Sequence, residues 1–370
     1  MLRELCYDQD LYLLQIALVV LPPDLVIVSI LDRFGLLAYF SGELLGTSYE
    51  GAQLGSMVEE VFYVLITILS ENGNARGMSV PKAIRREIVH ALAMGPCSFS
   101  DLVKRVAERL VDDVAFEGCL KEVATFRPPE GPTETGLYEL REEAYEEVNP
   151  FFYHYTRNRR EEVDTVLRNR IKKKTGKKEW EIVLEPKGFG VTEGPFKDLS
   201  NIWEQEVMIQ VVFFAIWNVL VITDAASSLS SDIVTGAGAG AAPPSAEAIL
   251  DQALHLVMLG IIERPARFSS LAARKRWASN GKNKTLLEVL WMLGEHEKYM
   301  KLCKARVDWI FEGMVRGGDG GVRDEIKRVR GWLDRSDLGS GGHMVGSGTT
   351  RQPGLDKDEK AAKKRQKANR

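Results

Sequence analysis

The sequence contains few residues of the kinds that bind zinc, and those few are scattered. Its 370 residues include four cysteines and five histidines, and no two cysteines form a CxxC pair. Zinc modules need ligands about two to four residues apart within each half-site. We therefore expect no metal and no other cofactor in this chain. The cysteines are Cys6, Cys97, Cys119 and Cys303.

The same scarcity bears on cellular location and on enzymatic chemistry. Few cysteines and no secretory signal indicate a reducing, intracellular compartment. We expect a cytoplasmic protein, with the nucleus as a second location. Cys97 lies beside a predicted helix start, where a thiolate can be stabilised. No histidine adjoins it in the sequence, however, so a buried structural thiol is the better interpretation.

Charge and hydropathy give no global signal for nucleic acid or membrane. The net charge is -3, so any basic site must be local. The apolar run 11–31 is interrupted by Gln15 and by Pro22-Pro23-Asp24, so it fits two shorter helices better than one span. The run 207–223 is interrupted by Gln210 and Asn218 and falls short of the roughly 20 residues that a spanning helix needs. We expect both to be buried core helices, and we expect no membrane partner.

The remaining patterns predict a mainly α fold. It is a multi-helical scaffold that contains a small winged-helix (α+β) domain and has a Gly-rich, flexible C-terminal part. The predicted divisions are an N-terminal helical region at 1–78, a winged-helix-like domain at 79–150, a charged helix, short strand and long core helix at 151–225, a flexible loop at 226–246, a helical region at 247–335, a linker at 336–356 and a truncated basic helix at 357–370.

The winged-helix prediction rests on the order of elements between Val80 and about residue 160. Three short helical patterns are followed by a Pro/Gly-rich turn at 127–132 and an alternating strand at 137–140. Gly95 and Pro96 end the first helix, and Ser98 is placed to cap the second. This sequence of elements is typical of a winged helix.

The third helix of this unit argues against DNA binding. A recognition helix presents Arg or Lys to phosphates and base edges. Here the only cation is Lys121, so the helix would repel a polyanion. A contact with protein, or a purely architectural role, is favoured over a DNA-binding regulator. The acidic residues are Asp112, Asp113, Glu117 and Glu122.

Two further motifs have a functional and a structural interpretation. The basic residues of 157–174 form either a phosphate or acidic-partner surface, or a solvated face with i,i+4 ion pairs, and the second is favoured. Gly188-Phe189-Gly190 is half of a nucleotide fingerprint, but it lacks the full GxGxxG spacing and a preceding βαβ unit. Residues 179–184 alternate as a strand does.

Three stretches resemble a known family. GPCSFSDLVKRVAERLVDD, KEVATFRPPEGPTETGLYELREEAYEEVNPFFYHYTRNRREE and EGPFKDLSNIWEQEVMIQ look like the central region of the N-recognin E3 ubiquitin ligases of the N-end-rule (N-degron) pathway. LDRFGLLAYFSG also looks like the family's sequence upstream of the winged helix. The likeness is collinear over about residues 10–225.

The resemblance implies a role in ubiquitination. In the family, a zinc-binding UBR box grips the destabilising N-terminal residue of the substrate, a RING domain recruits the ubiquitin-conjugating enzyme (E2), and a basic helix before the RING adds a second E2 contact. This sequence contains neither set of zinc ligands. It is therefore expected to be a fragment or a split reading frame, which positions modules that it lacks. The alternative is a non-enzymatic winged-helix module that binds DNA or protein.

The C-terminal basic segment resembles the start of that E2-binding helix. Its residues would contact an acidic surface of the E2, and the interpretation competes with a solvated tail. N-degron substrates would be bound through the absent modules. The predicted E2-binding residues are Lys363, Lys364, Arg365, Lys367 and Arg370.

Overall fold

The computed structural model describes residues 2–43, 49, 51–131, 134–232, 246–279 and 281–331. These residues are mainly α-helical, as predicted, and two antiparallel hairpins accompany the helices. The first helices are α1 (Leu2–Val20), α2 (Pro23–Arg33), α3 (Leu37–Ser41) and α4 (Gly51–Ser70).

Proline separates the first two helices. Pro22 and Pro23 cannot continue α1, and Pro23 occupies the first position of α2, where its missing N–H costs nothing. Asp24 lies in the first turn of α2 without capping it. The C-terminal end of α3 is Gly42, whose φ of 88° is left-handed; a Cβ there would lie 2.7 Å from the Phe214 ring. Glycine is therefore required at this close approach.

The winged-helix unit follows. Its helices are α5 (Val80–Leu92), α6 (Phe99–Arg105), α7 (Glu108–Val111) and α8 (Phe116–Val123), and its hairpin is β1 (Ala124–Arg127) with β2 (Leu137–Leu140). The strands pair Ala124 with Leu140 and Phe126 with Tyr138. The Ser98 hydroxyl accepts a hydrogen bond from the Asp101 N–H, which confirms the predicted cap of α6. The second predicted helix is two helices in the structure, α6 and the short α7. Strand β1 was not predicted.

A long charged helix, α9 (Arg157–Thr175), comes after a 3-10 turn at Glu142–Glu147. Thr156 caps its start and Gly176, with φ of 69°, ends it. The predicted strand at 179–184 is wrong, because Glu179–Glu181 forms a 3-10 turn. The Glu181 carboxylate accepts the Lys178 N–H, and the Ile182 carbonyl accepts from Arg168. Backbone groups satisfied in this way have no need of a partner strand.

The C-terminal helices begin after a 3-10 helix at Lys197–Glu204. The predicted long core helix is therefore split into that 3-10 helix and α10. The predicted loop at 226–246 is wrong at its start, because α10 continues to Asp232 through a stretch with neither Gly nor Pro. Residues 233–245 lie outside the described part, as do the predicted linker at 336–356 and basic helix at 357–370. The elements are α10 (Glu206–Asp232), α11 (Ala246–Glu263), α12 (Pro265–Arg274), β3 (Arg276–Ser279), β4 (Lys282–Thr285), α13 (Leu286–Glu295), α14 (Met300–Gly317) and α15 (Gly320–Arg330).

Buried apolar side chains form two clusters. One lies within the winged-helix unit and extends from Ile84 to Val163. The other joins helices from both ends of the sequence, with residues 11–69 packed against residues 189–329 and Phe151. We call the second the helical body. The winged-helix unit is thus inserted into the sequence of the body.

Two helices in the described residues are long and apolar enough to span a membrane, at Gln53–Ser70 and Glu206–Asp224. Their apolar windows are 61% and 72% buried inside the protein. α4 packs on α11, and α10 packs on α11 and α13. Both helices are therefore covered by protein in this fold.

Candidate functional site at the winged-helix junction

The winged-helix unit carries its acidic charge on the helix that would face DNA in a DNA-binding relative. On α8 the side chains of Glu117 and Glu122 are 80% and 67% exposed. The only cation of α8, Lys121, lies 3.7 Å from Glu117. Glu122 is also held by Arg85 of α5 at 3.2 Å. The exposed face of α8 therefore offers carboxylates, not free cations, to a partner.

The opposite side of the unit meets the helical body through an ion pair. Glu71, at the end of α4, is 7% exposed and accepts hydrogen bonds from two guanidinium nitrogens of Arg86 on α5. The Gly73 N–H donates to the same carboxylate at 2.8 Å. The guanidinium of Arg86 also lies 5.0 Å from the centroid of the Phe152 ring. The pair is bidentate and stacked, which is the arrangement in which arginine binds a carboxylate most specifically.

A second polar bridge is centred on His154. Its Nδ1 lies 3.1 Å from Glu87 of α5 and its Nε2 lies 3.3 Å from Asp8 of α1. Burial alone lowers the pKa of His154, but the hydrogen bonds and charges of Asp8 and Glu87 outweigh it and raise the pKa to about 9. Both ring nitrogens can donate only in the imidazolium form. A cation at His154 thus joins the first helix of the body to the first helix of the winged-helix unit.

His90 completes the junction as a neutral side chain. Its Nδ1 lies 2.7 Å from the Arg86 carbonyl, and its Nε2 accepts the Asn149 N–H at 3.0 Å. Burial first, and then the charge of Arg86, lower the pKa of His90 to about 3. The Tyr155 hydroxyl donates to the His90 carbonyl at 2.6 Å. These contacts fix the segment that leads from the winged-helix unit into α9.

The chain leaves the helical body after α4 and returns to it near residue 190, and hydrogen bonds join these two segments. The Asn72 side-chain amide donates to the Phe189 carbonyl at 2.8 Å, and Arg76 donates to the carbonyl of Gly190. Phe189 itself is buried in the helical body. Gly188-Phe189-Gly190 is therefore a structural loop, and its residues serve this contact. We call these contacts the crossing clamp.

The basic residues of α9 are largely paired with acidic neighbours. Arg157 contacts Glu161 at 3.1 Å, Arg168 contacts Asp164 at 2.6 Å, and Lys174 contacts Glu142 at 3.0 Å. Such i,i+4 and turn pairs are the solvated ion-paired face that the sequence favours.

Two surface grooves adjoin this helix. The first has a volume of about 300 Å³, and the second about 390 Å³. In the first, Lys187 donates to the Glu146 carbonyl at 2.7 Å. In the second, Arg306 lies 2.7 Å from Asp251. These cations already have protein partners, so they do not form a ready anion site.

The thiols and possible metal ligands are structural in the described residues. Cys97, Cys119 and Cys303 are buried and free, and burial raises the pKa of each thiol. Cys97 is bridged by backbone hydrogen bonds to Tyr138 of β2. No group of three or more His, Cys, Asp or Glu side chains in the described part of the chain is arranged to hold a metal ion.

The predicted E2-binding residues, Lys363, Lys364, Arg365, Lys367 and Arg370, lie outside the described residues, and their role stays a prediction. The junction residues were not predicted as a site. The sequence signal that marks them is the run Phe151-Phe-Tyr-His-Tyr155, in which four aromatic rings surround one histidine. Asp8, a partner of His154, is 146 residues away in the sequence, so periodicity could not connect them.

The fold defines a winged-helix unit whose helix α8 is acidic and which is joined to the helical body by buried ion pairs. Residues 83–182 match the family described as "E3 ubiquitin-protein ligase UBR1-like, winged-helix domain". The chain therefore contains a winged-helix domain of this type. The resemblance inferred from the sequence is confirmed.

Similarity to individual proteins extends beyond the winged-helix domain. The chain is 34% identical over 185 residues, or 50% of its length, to E3 ubiquitin-protein ligase ubr1 of Schizosaccharomyces pombe. It is 29% identical over 223 residues, or 57% of its length, to UBR2 of Mus musculus, and 30% identical over 159 residues, or 42%, to UBR1 of Homo sapiens. These matches cover 9%, 12% and 9% of the relatives, so the chain spans about a tenth of their length.

Proposed function

We propose that this chain is the central scaffold segment of an E3 ubiquitin-protein ligase of the N-end-rule pathway. Such a ligase binds proteins with destabilising N-terminal residues and promotes their ubiquitination and proteasomal degradation. The role of this segment is to hold the substrate-binding and E2-binding modules in register. The observation that carries the proposal is the winged-helix junction, seen together with the family match.

The junction supports a fixed geometry. Arg86 and Glu87 project from consecutive positions of α5 to two different elements of the body, the end of α4 and, through His154, helix α1. Because the winged-helix unit is attached to the body at two separate places, it cannot rotate about either contact. The partners Glu71 and Glu87 are each 7% exposed, so breaking either contact uncovers or strands a desolvated charge.

The chemistry of ubiquitin transfer belongs, on this proposal, to modules outside this chain. A RING domain would orient the thioester of a ubiquitin-loaded E2 for attack by a substrate lysine, and zinc would be bound only in the RING and the UBR box. The partners of the whole protein would be an E2, contacted also by the 363–370 basic residues, and N-degron substrates. We propose the cytoplasm as its location, and the nucleus as a second.

The first test is a discharge assay. The purified 370-residue chain is added to a ubiquitin-loaded E2 with free lysine as acceptor. We expect discharge at the rate of buffer, because the sequence has no CxxC pair from which the zinc sites of a RING could be built. Discharge well above the buffer rate would contradict the scaffold role and assign chemistry to the chain itself.

The second test is a chimera. In the fission-yeast relative, the matching 185 residues are replaced by those of this chain, and the half-life of a reporter with a destabilising N-terminal residue is measured in cells. We expect the chimera to restore degradation and Arg86→Met to impair it. Arg85→Met, at the neighbouring position of α5, removes ion pairs to Glu122 and Glu147 that stay within the winged-helix unit, and it serves as the matched control. A chimera that accumulates normally, yet leaves the reporter as stable as deletion does, would refute the proposal.

A further inference from the structure

Aromatic side chains are exposed at the β1–β2 hairpin, which is the wing of the winged-helix unit, and at the start of α6. Phe99 at the start of α6 is 45% exposed, and Phe126 of β1 is 52% exposed. Their ring centroids lie 6.2 and 5.1 Å from that of Tyr138, which is only partly buried. We call Phe99, Phe126 and Tyr138 the wing patch. Val114, in the turn before α8, is fully exposed nearby in the sequence.

The local structure holds these rings in place. The β1–β2 register sets Phe126 directly opposite Tyr138, and the backbone bridge from Cys97 to Tyr138 brings Phe99 alongside. The Phe126 ring lies over Gly136, where a Cβ would come within 2.4 Å of it. Phe99 also meets the edge of Phe116, the first residue of α8. The patch therefore spans α6, the wing and the base of α8 and is preorganised.

Folding does not account for this exposure. The core of the unit is made by other residues, such as Ile88, Leu120 and Val123, while about half of each phenylalanine remains in water. Solvated aromatic surface is unfavourable, and soluble proteins rarely keep it contiguous unless it binds something. Rigid aromatic side chains are also the residues that most often dominate the energy of protein interfaces.

The charges around the patch indicate which kind of partner it binds. Between residues 97 and 141, which include all three members of the patch, nine Asp and Glu residues stand against six Lys and Arg residues. Two of the six, Lys104 and Lys121, pair with Asp101 at 3.2 Å and with Glu117 at 3.7 Å, which leaves the excess of three carboxylates unchanged. Acidic charge around the patch repels phosphate and attracts lysine and arginine. We call these carboxylates the rim: Asp101, Glu108, Asp112, Asp113, Glu117, Glu122, Glu130, Glu134 and Glu139.

We infer that the wing patch is a docking surface for a protein segment in which a bulky apolar residue is flanked by lysine or arginine. The apolar residue packs on Phe99 and Phe126, and the cations meet the carboxylates of the rim. In other winged helices the corresponding surface binds DNA. In this chain it binds a basic, hydrophobic polypeptide segment. The inference stands on the geometry of the patch and holds whether or not the chain acts within a ubiquitin ligase.

The test uses the full 370-residue chain and a displayed library of random 16-residue peptides. Peptides that bind the chain, but not its Phe99→Ser/Phe126→Ser variant, are sequenced, and the strongest is synthesised with a fluorescent label for anisotropy. We expect a bulky apolar residue beside two or more cations, and at least about tenfold weaker binding to the variant. Binding should also weaken as salt rises. Trp180→Ser, at an aromatic residue that is 54% exposed, is the matched control and should leave binding unchanged.

Two further measurements make the outcome decisive. Thermal unfolding reports whether the double variant is folded; if it is not, Glu117→Lys on the exposed face of α8 replaces it, and we expect about threefold weaker binding from the lost attraction. The inference would be overturned if the selected peptides were acidic, or if no selected peptide bound the wild-type chain and the variant differently. It would also be overturned if the chain bound duplex DNA and the variant did not.

Discussion

The His154 bridge makes the stability of the chain depend on pH in one direction. His154 lies between Asp8 and Glu87 and stacks on Tyr153, with ring centroids 3.8 Å apart. Its pKa is raised to about 9 in the folded state, against about 6.5 in an unfolded chain. Because the folded pKa is the higher one, the stabilisation is fully present below pH 6.5 and is lost as the pH rises through 9.

The size of the effect follows from the two pKa values. Linkage gives the imidazolium about 3 kcal/mol of folding free energy at pH 6, about 2 kcal/mol at pH 7.5 and less than about 1 kcal/mol at pH 9. The side chain is 20% exposed, and its partners are 14% and 7% exposed, so screening by solvent is modest. Replacing His154 by Gln removes the charge and retains hydrogen-bonding capacity.

The assay is urea unfolding followed by circular dichroism at several pH values. The difference in unfolding free energy between wild type and His154→Gln should shrink by about 2 to 3 kcal/mol between pH 6 and pH 9. Trp180→Ser, at a side chain that is 54% exposed and does not titrate, is the control, and its difference should stay constant over this range. A His154→Gln difference that is constant over this range would refute the assignment of a buried imidazolium.

Three further predictions test the junction, the body and the charge of the chain. Arg86→Met should destabilise the chain by about 3 to 5 kcal/mol, because it strands the Glu71 carboxylate; the double variant with Glu71→Gln should recover most of this in urea unfolding, and no recovery would contradict a direct pair. Gly42→Ala should cost about 2 kcal/mol from its left-handed φ, with further loss from the Phe214 ring; an unchanged midpoint of thermal unfolding would count against that packing. Random duplex DNA at low salt should show no mobility shift with the chain, whereas E2 binding should fall with added salt and with charge reversal at 363–370; a salt-independent E2 interaction would remove the role proposed for that segment.

Much of the winged-helix unit could be predicted from local patterns. Helical spacing, the Gly95-Pro96 stop and the Ser98 cap are local signals, and the structure confirms the elements they indicate. The β1 strand was missed because Ala124–Arg127 directly continues the pattern of α8, with no turn residue between them. Only pairing with β2 makes it a strand, and pairing is a tertiary interaction.

The errors elsewhere have the same origin. Residues 179–184 alternate like a strand, but a strand needs an open partner edge, and the side chains of Arg168 and Glu181 satisfy backbone groups there instead. The β3–β4 hairpin was not predicted because its strands, Arg276–Ser279 and Lys282–Thr285, are mainly polar and show no apolar alternation. The His154 bridge joins Asp8 to a residue 146 positions away. Neither composition nor periodicity carries information about contacts at that separation.

The crossing clamp has a consequence for how this protein can change. Asn72 and Arg76 hold the returning chain at Phe189 and Gly190, so residues 77–188 leave and rejoin the body at one point. A loop whose ends already touch costs little entropy to shorten or to exchange. The whole winged-helix unit with α9 is therefore a cassette. A short linker placed across the clamp would keep the two crossings joined, but it would also remove Phe151 from the core of the helical body.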